Sequence, residues 1–238
     1  MRQRGRLLPS AVLPGALLGN APRVGTNRSP QPEYALGSPG RPAAVPTLLI
    51  AAFDNSGSVV SPIGADPLSN RFAEVDRAFS VIARNGAPHE LGMVLHFDTP
   101  SDGEIGPVPI TRAGIRQLRR GLRVPEDGAG SSELAPSLRR ARQVAEAHPA
   151  HETTLVVLSD FMLMDADPCE ALSDLAAFPG AVHAVVLGTR LPAGVLDGAI
   201  TVTHVGRDDP PGTVAQALFA SLVRHRQRRH YSPRNRGK

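Results

Sequence analysis

The chain is poor in several things at once. Among its 238 residues there is one cysteine, no tryptophan and only 4% aromatic side chains. A single thiol closes no internal disulfide, so nothing in the fold calls for an oxidising compartment, and Cys169 reads as a small buried or half-buried side chain. With so few rings the core has to come from Ala, Val and Leu, and 41% hydrophobic residues in a chain of this length suffice for one. No apolar run approaches the roughly 18–20 residues that cross a bilayer. The N-terminal stretch MRQRGRLLPSAVLPGALLG is broken by Pro9 and Pro14 and shows no clear A-x-A site. The expectation is a cytoplasmic protein, with export as the alternative if that stretch acts as a signal. GxxxxGK[ST] and GxGxxG are both missing, so a nucleotide cofactor has no local support.

Lysine is nearly missing as well, and arginine carries the positive charge. An Arg-rich composition of this kind fits GC-rich coding DNA and hence a bacterial source. The net charge of +4 is unevenly spread. Residues 1–46 hold six Arg against Glu33, and residues 224–238 hold six Arg and Lys238 with no acid. The 13 basic and 21 acidic side chains between them make an acidic body with two basic ends. Such ends suit nucleic acid or anionic lipid, or are simply solvated. The acidic body and the lack of interleaved aromatic and basic residues argue against nucleic acid.

Residues 1–46, rich in Pro, Gly, Arg and Ser, read as a disordered tail. Residues 47–223 read as one domain, and 224–238 as a second basic tail. Within the domain, short apolar segments at 47–53, 91–97, 153–159, 181–187 and 200–205 have the character of strands buried on both faces. Between them lie amphipathic helices. One follows the cap Asp66-Pro67 through Leu68, Phe72, Val75, Phe79 and Ile82; one opens at Thr111, with Ile115, Leu118 and Leu122 inward. Another begins near Ser132 through Leu134, Leu138, Ala141 and Val144. A fourth follows Asp167-Pro168 with Leu172, Leu175 and Phe178, and the last spans 211–227 through Val214, Leu218 and Leu222. The alternation predicts an α/β fold: a Rossmann-like, open, mostly parallel sheet of about six strands with helices on both faces. Pro107 and Pro109 restrict the sixth strand, near 106–110, to a short antiparallel edge.

Ligands of such sheets sit beyond the carboxyl ends of the strands. There the first strand runs into Asp54-Asn55-Ser56-Gly57-Ser58, the strand at 153–159 ends in Ser159-Asp160, and GAGSSEL at 128–134 leads into a helix. Alternate spacing aims Asp54, Ser56 and Ser58 one way, and Gly57 lets the chain curl. A site made only of oxygen donors selects a hard cation, and so few charges suit Mg²⁺ or Mn²⁺. Each piece also has an ordinary reading: DNSGS as a polar turn, Ser132 as a helix N-cap, Asp160 as a residue leading into a loop.

From residue 47 to about 223 the chain resembles the von Willebrand factor type A domain. DNSGS matches that family's D-x-S-x-S pattern, Ser132 takes the place of its usual Thr, and Asp160 matches its strand-ending Asp. The resemblance implies a metal-ion-dependent adhesion site at Asp54, Ser56, Ser58, Ser132 and Asp160, with Mg²⁺ or Mn²⁺ ligated directly by the three serines. Asp54 and Asp160 would act largely through waters. It also implies a partner protein whose Glu or Asp carboxylate completes the shell, and in bacteria it points to a larger assembly such as an AAA-type ATPase. Two features depart from the pattern: Ser for Thr at 132, and the long segment VVSPIGADP after the motif, expected on the rim that a partner meets. The competing reading is a metal-dependent hydrolase with Asp54, Asp98 and Asp160 as carboxylates and His96 as general base.

Overall fold

A computed structural model describes residues 34–66, 70–188, 190–192, 194–196 and 198–227. The expectations for residues 1–33 and 228–238, and for Pro67 and Leu68, fall outside them. The strands are β1 (Thr47–Phe53), β2 (Glu90–His96), β3 (Ile105–Pro109), β4 (Glu152–Ser159), β5 (Ala181–Leu187) and β6 (Thr201–Val205). The helices are α1 (Gly57–Val60), α2 (Asn70–Ala83), α3 (Arg112–Gly121), α4 (Ala135–Ala147), α5 (Pro168–Ala176) and α6 (Thr213–Gln227). The sheet order is β3-β2-β1-β4-β5-β6, parallel throughout except for the antiparallel β2–β3 pair. This is the expected architecture, prolines at the edge included.

The period of two along each strand divides the core. Leu49, Ala51 and Phe53 of β1 join Val156 and Leu158 of β4 on one face, beneath Phe72, Val75, Phe79 and Ile82 of α2, Ile115 and Leu118 of α3, and Leu218 and Leu222 of α6. Leu48, Ile50 and Ala52 face the other way, against Leu138, Ala141 and Val144 of α4 and Leu175 of α5. Burying a Leu or Val side chain contributes about 1.5–3 kcal/mol, so the doubly covered central strands hold most of the stability.

Several helix starts differ from expectation in an instructive way. Asp66 accepts from the Asn70 and Arg71 N–H groups at the start of α2, but from four residues before that helix rather than from the position next to it. Ser132, in contrast, is not the cap of α4. That helix begins three residues later, and its first N–H groups, on Leu134 and Ala135, donate to the carboxylate of Asp165 in another loop. Cys169 is exposed, not buried, because it lies in the first turn of α5 on the solvent side. The body also outruns its expected limits. Leu36 and Ala43 are buried, and α6 continues through Arg226 to Gln227. Among the described residues no helix is long and apolar enough to cross a membrane.

Candidate metal site at the strand ends

β1 and β4 are neighbours, and the chain leaves them in opposite directions across the sheet. Their carboxyl ends therefore flank the switch point, where the helices of the two faces diverge and leave a crevice. Register places Phe53 beside Leu158, and the Asp54 N–H donates to the Leu158 carbonyl. Asp54 and Ser159 thus emerge side by side, and the Ser159 hydroxyl donates to Asp54 Oδ2 at 2.6 Å. The Ser56 N–H holds Asp54 Oδ1 at 2.8 Å. One residue beyond Ser159, Asp160 is buried as well, with Oδ1 accepting from the Met162 N–H.

Ser56 and Ser58 bring their hydroxyls within 3.0 Å of each other. The backbone that does this is the start of α1, a single helical turn with Ser56 at its N-cap. Gly57 opens that turn, and a Cβ there would meet nothing. Its freedom is therefore not what brings the hydroxyls together.

The third loop arrives from below α4. Gly130 adopts a left-handed φ of 70°, where only glycine is free of strain, and a Cβ on it would lie 3.5 Å from the Asn55 carbonyl. The loop therefore passes directly over the first motif. The Ser131 N–H donates to Asp98 Oδ1, and the Ser131 hydroxyl accepts from the Glu133 N–H. The Ser132 carbonyl accepts from the Met164 N–H, which joins this loop to the one carrying Asp160. Four of the five expected site residues, Asp54, Ser56, Ser58 and Asp160, are thus set on the two central strand ends, with the Ser132 loop laid between them.

The electrostatics suit a cation. Burial pushes the Asp54 carboxyl above its ordinary value; hydrogen bonds from Ser159 and Ser56 pull it down, and the neighbouring charge of Asp160 pushes it up again. A cation bound here would offset the charge that burial penalises on Asp54. The donors are all oxygen, the class that hard cations prefer, and among the described residues no group of three or more His, Cys, Asp or Glu is gathered to hold a metal ion. The residues fit a hard divalent ion.

Behind the site runs a buried network that the sequence did not announce. Arg71 of α2, 1% exposed, donates to the Asp54 carbonyl and to Asn55 Oδ1, and pairs with Asp66 at 2.7 Å. The Asn55 amide meets His96 Nδ1 at 2.9 Å, while His96 Nε2 meets the Gly121 carbonyl at 2.9 Å. A carbonyl only accepts, so Nε2 carries the proton and Nδ1 accepts from Asn55. Burial holds the His96 imidazole down at about 4. Its only lone pair is engaged and it has no route to a substrate, so it is not placed as a general base. Asp98, the other residue singled out for hydrolysis, instead anchors the Ser131 backbone. Its Oδ2 is buried without a hydrogen-bond partner, closed over by Gly128.

Phe161, just after Asp160, has φ 58° although it is not glycine. That conformation costs about 1–2 kcal/mol. The turn it makes aims the Phe161 and Met162 N–H groups back at Ser159 Oγ and Asp160 Oδ1. Backbone strain here fixes the second carboxylate.

No family model matches the sequence, and no curated protein is similar to it in sequence. Solved structures do resemble its fold. A von Willebrand factor type A protein from Catenulispora acidiphila superposes with a TM-score of 0.52 at 14% identity, covering 76% of this chain and 43% of that one. Proximal thread matrix protein 1 from the mussel byssus, solved with a zinc-occupied MIDAS motif, gives 0.51 at 16% identity over 79% of this chain and 49% of that one. The chain spans less than half of either. At these identities the likeness establishes the architecture: the fold is of von Willebrand factor type A.

Proposed function

We propose that this chain is a non-catalytic binding module that grips a partner protein through a Glu or Asp carboxylate, bridged by a divalent cation. The observation that carries the reading is the position of Asp54. A fully buried carboxylate stands at the switch point of the sheet, beside Asp160 and a pair of hydroxyls, and the one histidine behind it, His96, has both ring nitrogens engaged. Ser56, Ser58 and Ser132 would hold the ion with their hydroxyls, and Asp54 and Asp160 would supply the negative charge. When bound, the cation contributes positive charge and an open coordination position suited to an external carboxylate. Mg²⁺ is the cellular ion that this donor set suits best, with Mn²⁺ equivalent in vitro. The solved neighbour with a zinc-occupied MIDAS motif supports a divalent ion at this place in the fold. A cytoplasmic assembly containing an AAA-type ATPase is the kind of partner we have in mind.

Thermal unfolding with and without Mg²⁺ or Mn²⁺ tests the metal. A ligand of the native state raises the melting temperature by mass action. Ser132→Ala should shrink that rise more than Ser131→Ala, because the Ser131 hydroxyl is engaged with the Glu133 N–H. Absence of any rise, or Asp54-dependent turnover of phosphate esters in Mn²⁺, would overturn the module reading.

A further inference from the structure

The three most exposed large hydrophobic side chains among the described residues are Ile63 at 87%, Met164 at 74% and Met162 at 60%. The next, Val124, is exposed at 43%. Scattered apolar side chains on a surface are ordinary, but these three are not scattered. All lie in two of the three loops that carry the site's donors, and each of the two is tied to the site through its backbone. Met162 N–H donates to Asp160 Oδ1, and Met164 N–H to the Ser132 carbonyl. Between them Leu163 turns inward and packs on the core, which leaves its two neighbours facing out. Ile63 stands in the turn after α1, where the Gly64 N–H bonds to the Ser61 carbonyl and the Ala65 N–H to that of Ser58. That turn is braced from behind, since a Cβ on Gly188 would come within 2.7 Å of the Ala65 side chain. The three side chains are held out on fixed backbone.

We infer that these side chains form an apolar rim which selects a partner segment with a single carboxylate flanked by large apolar residues; the inference rests on the metal-bridged reading above. Charge decides against a strongly acidic partner. The site loops, residues 54–66, 128–134 and 160–167, contain six acids (Asp54, Asp66, Glu133, Asp160, Asp165 and Asp167) and no Lys or Arg. One divalent ion leaves this surface negative even after Arg71 is counted. A carboxylate is welcome only at the ion, and further acids on the partner meet repulsion. Apolar neighbours instead meet Ile63, Met162 and Met164. Methionine's unbranched, polarisable side chain adapts to partners of differing shape, so the rim recognises apolar character rather than one side chain.

The full chain, immobilised in Mn²⁺, would be panned with a random dodecapeptide phage library and eluted with chelator. The expected pool carries one Asp or Glu per peptide, next to Leu, Ile, Phe or Met, and is otherwise neutral or basic. A synthetic peptide from that pool should lose about tenfold or more in affinity for the Met162→Ser/Met164→Ser double variant, while the metal-induced rise in melting temperature persists as proof of folding. Ile63→Ser supplies a second, independent reading. Acid-bearing peptides without apolar neighbours, or unchanged affinity in these variants, would overturn the rim and leave the module standing. An empty chelator eluate would overturn the module itself. Metal-dependent dimerisation seen by light scattering would replace the peptide segment with a second copy of this chain and overturn the inference.

Discussion

Replacing Asp54 by Asn removes a buried charge and keeps its shape. The Ser56 N–H still finds an oxygen, and the Ser159 hydroxyl, a donor to Asp54 at present, can turn to accept from the new amide. Because burial disfavours the anion, the metal-free variant should melt no lower than the wild type, and the rise caused by Mg²⁺ or Mn²⁺ should vanish. A variant that still responds to metal would remove Asp54 from the site. His96 gives a prediction of the opposite kind. Its folded-state value of about 4 lies below the ordinary 6.5, so the unfolded chain binds the proton more readily. Stability is whole above pH 6.5 and is lost as pH falls from there to about 4. His96 alone accounts for a loss of about 3 kcal/mol, at 1.36 kcal/mol per pH unit. His183, pushed down mainly by burial and then by Arg224, adds to the loss in the same direction. Denaturant midpoints taken at pH 7 and pH 5 should therefore converge in His96→Leu relative to wild type, although that variant starts lower for want of the Asn55 and Gly121 bonds.

At the scale of elements, the sheet was legible because strands buried on both faces leave an unbroken apolar signature, and two prolines name an edge. The ends of strands β1 and β4 were legible for the same reason: once a strand's end is known, the polar residues after it are the ones at the crevice. The start of α4 was not. Its cap is supplied by Asp165, some thirty positions along the chain, and nothing local to Ser132 or Leu134 reports that carboxylate. The Arg71–Asn55–His96 network was hidden likewise. Each member looks like an ordinary side chain until the fold brings helix α2 and strand β2 behind Asp54. Asp165→Ala tests what the borrowed cap does. Leaving the Leu134 and Ala135 N–H groups without it should cost about 1 kcal/mol in urea unfolding. Metal affinity should fall with it, since the same carboxylate joins the Ser132 loop to the one after β4. Stability loss with unchanged metal affinity would mean that the loop keeps its place without Asp165.

For the whole molecule, the sequence sets everything past residue 223 apart as a basic tail, yet Arg224 to Gln227 form the last turn of α6. Glu90, 3% exposed at the start of β2, accepts from the Ala43 and Ala87 N–H groups and from the Arg226 guanidinium at 2.6 Å. The Arg226 side chain is itself 1% exposed, and it also donates to the Pro39 and Asn85 carbonyls. His225 beside it meets Glu152 at 2.6 Å and the Thr154 hydroxyl at 3.0 Å. One turn of helix thus fastens the segment before β1, the start of β2 and the start of β4 at the end of the sheet opposite the metal site. A chain ending at Val223 keeps every apolar contact of the core but strands Glu90 as a buried, uncompensated charge. Breaking such a pair costs about 3–5 kcal/mol. A chain ending at Gln227 keeps the pair. Thermal melts of the two truncations should therefore differ by about 6–20 °C, the shorter being the less stable, at ~2–4 °C per kcal/mol for a body of this size. Glu90→Gln with Arg226→Met, introduced into the full chain, separates charge from packing: it should recover most of the loss seen with Arg226→Met alone, because the unpaired anion is gone. Equal melting temperatures for the two truncations would show that the C-terminal turn only rests on the sheet and does not fasten it.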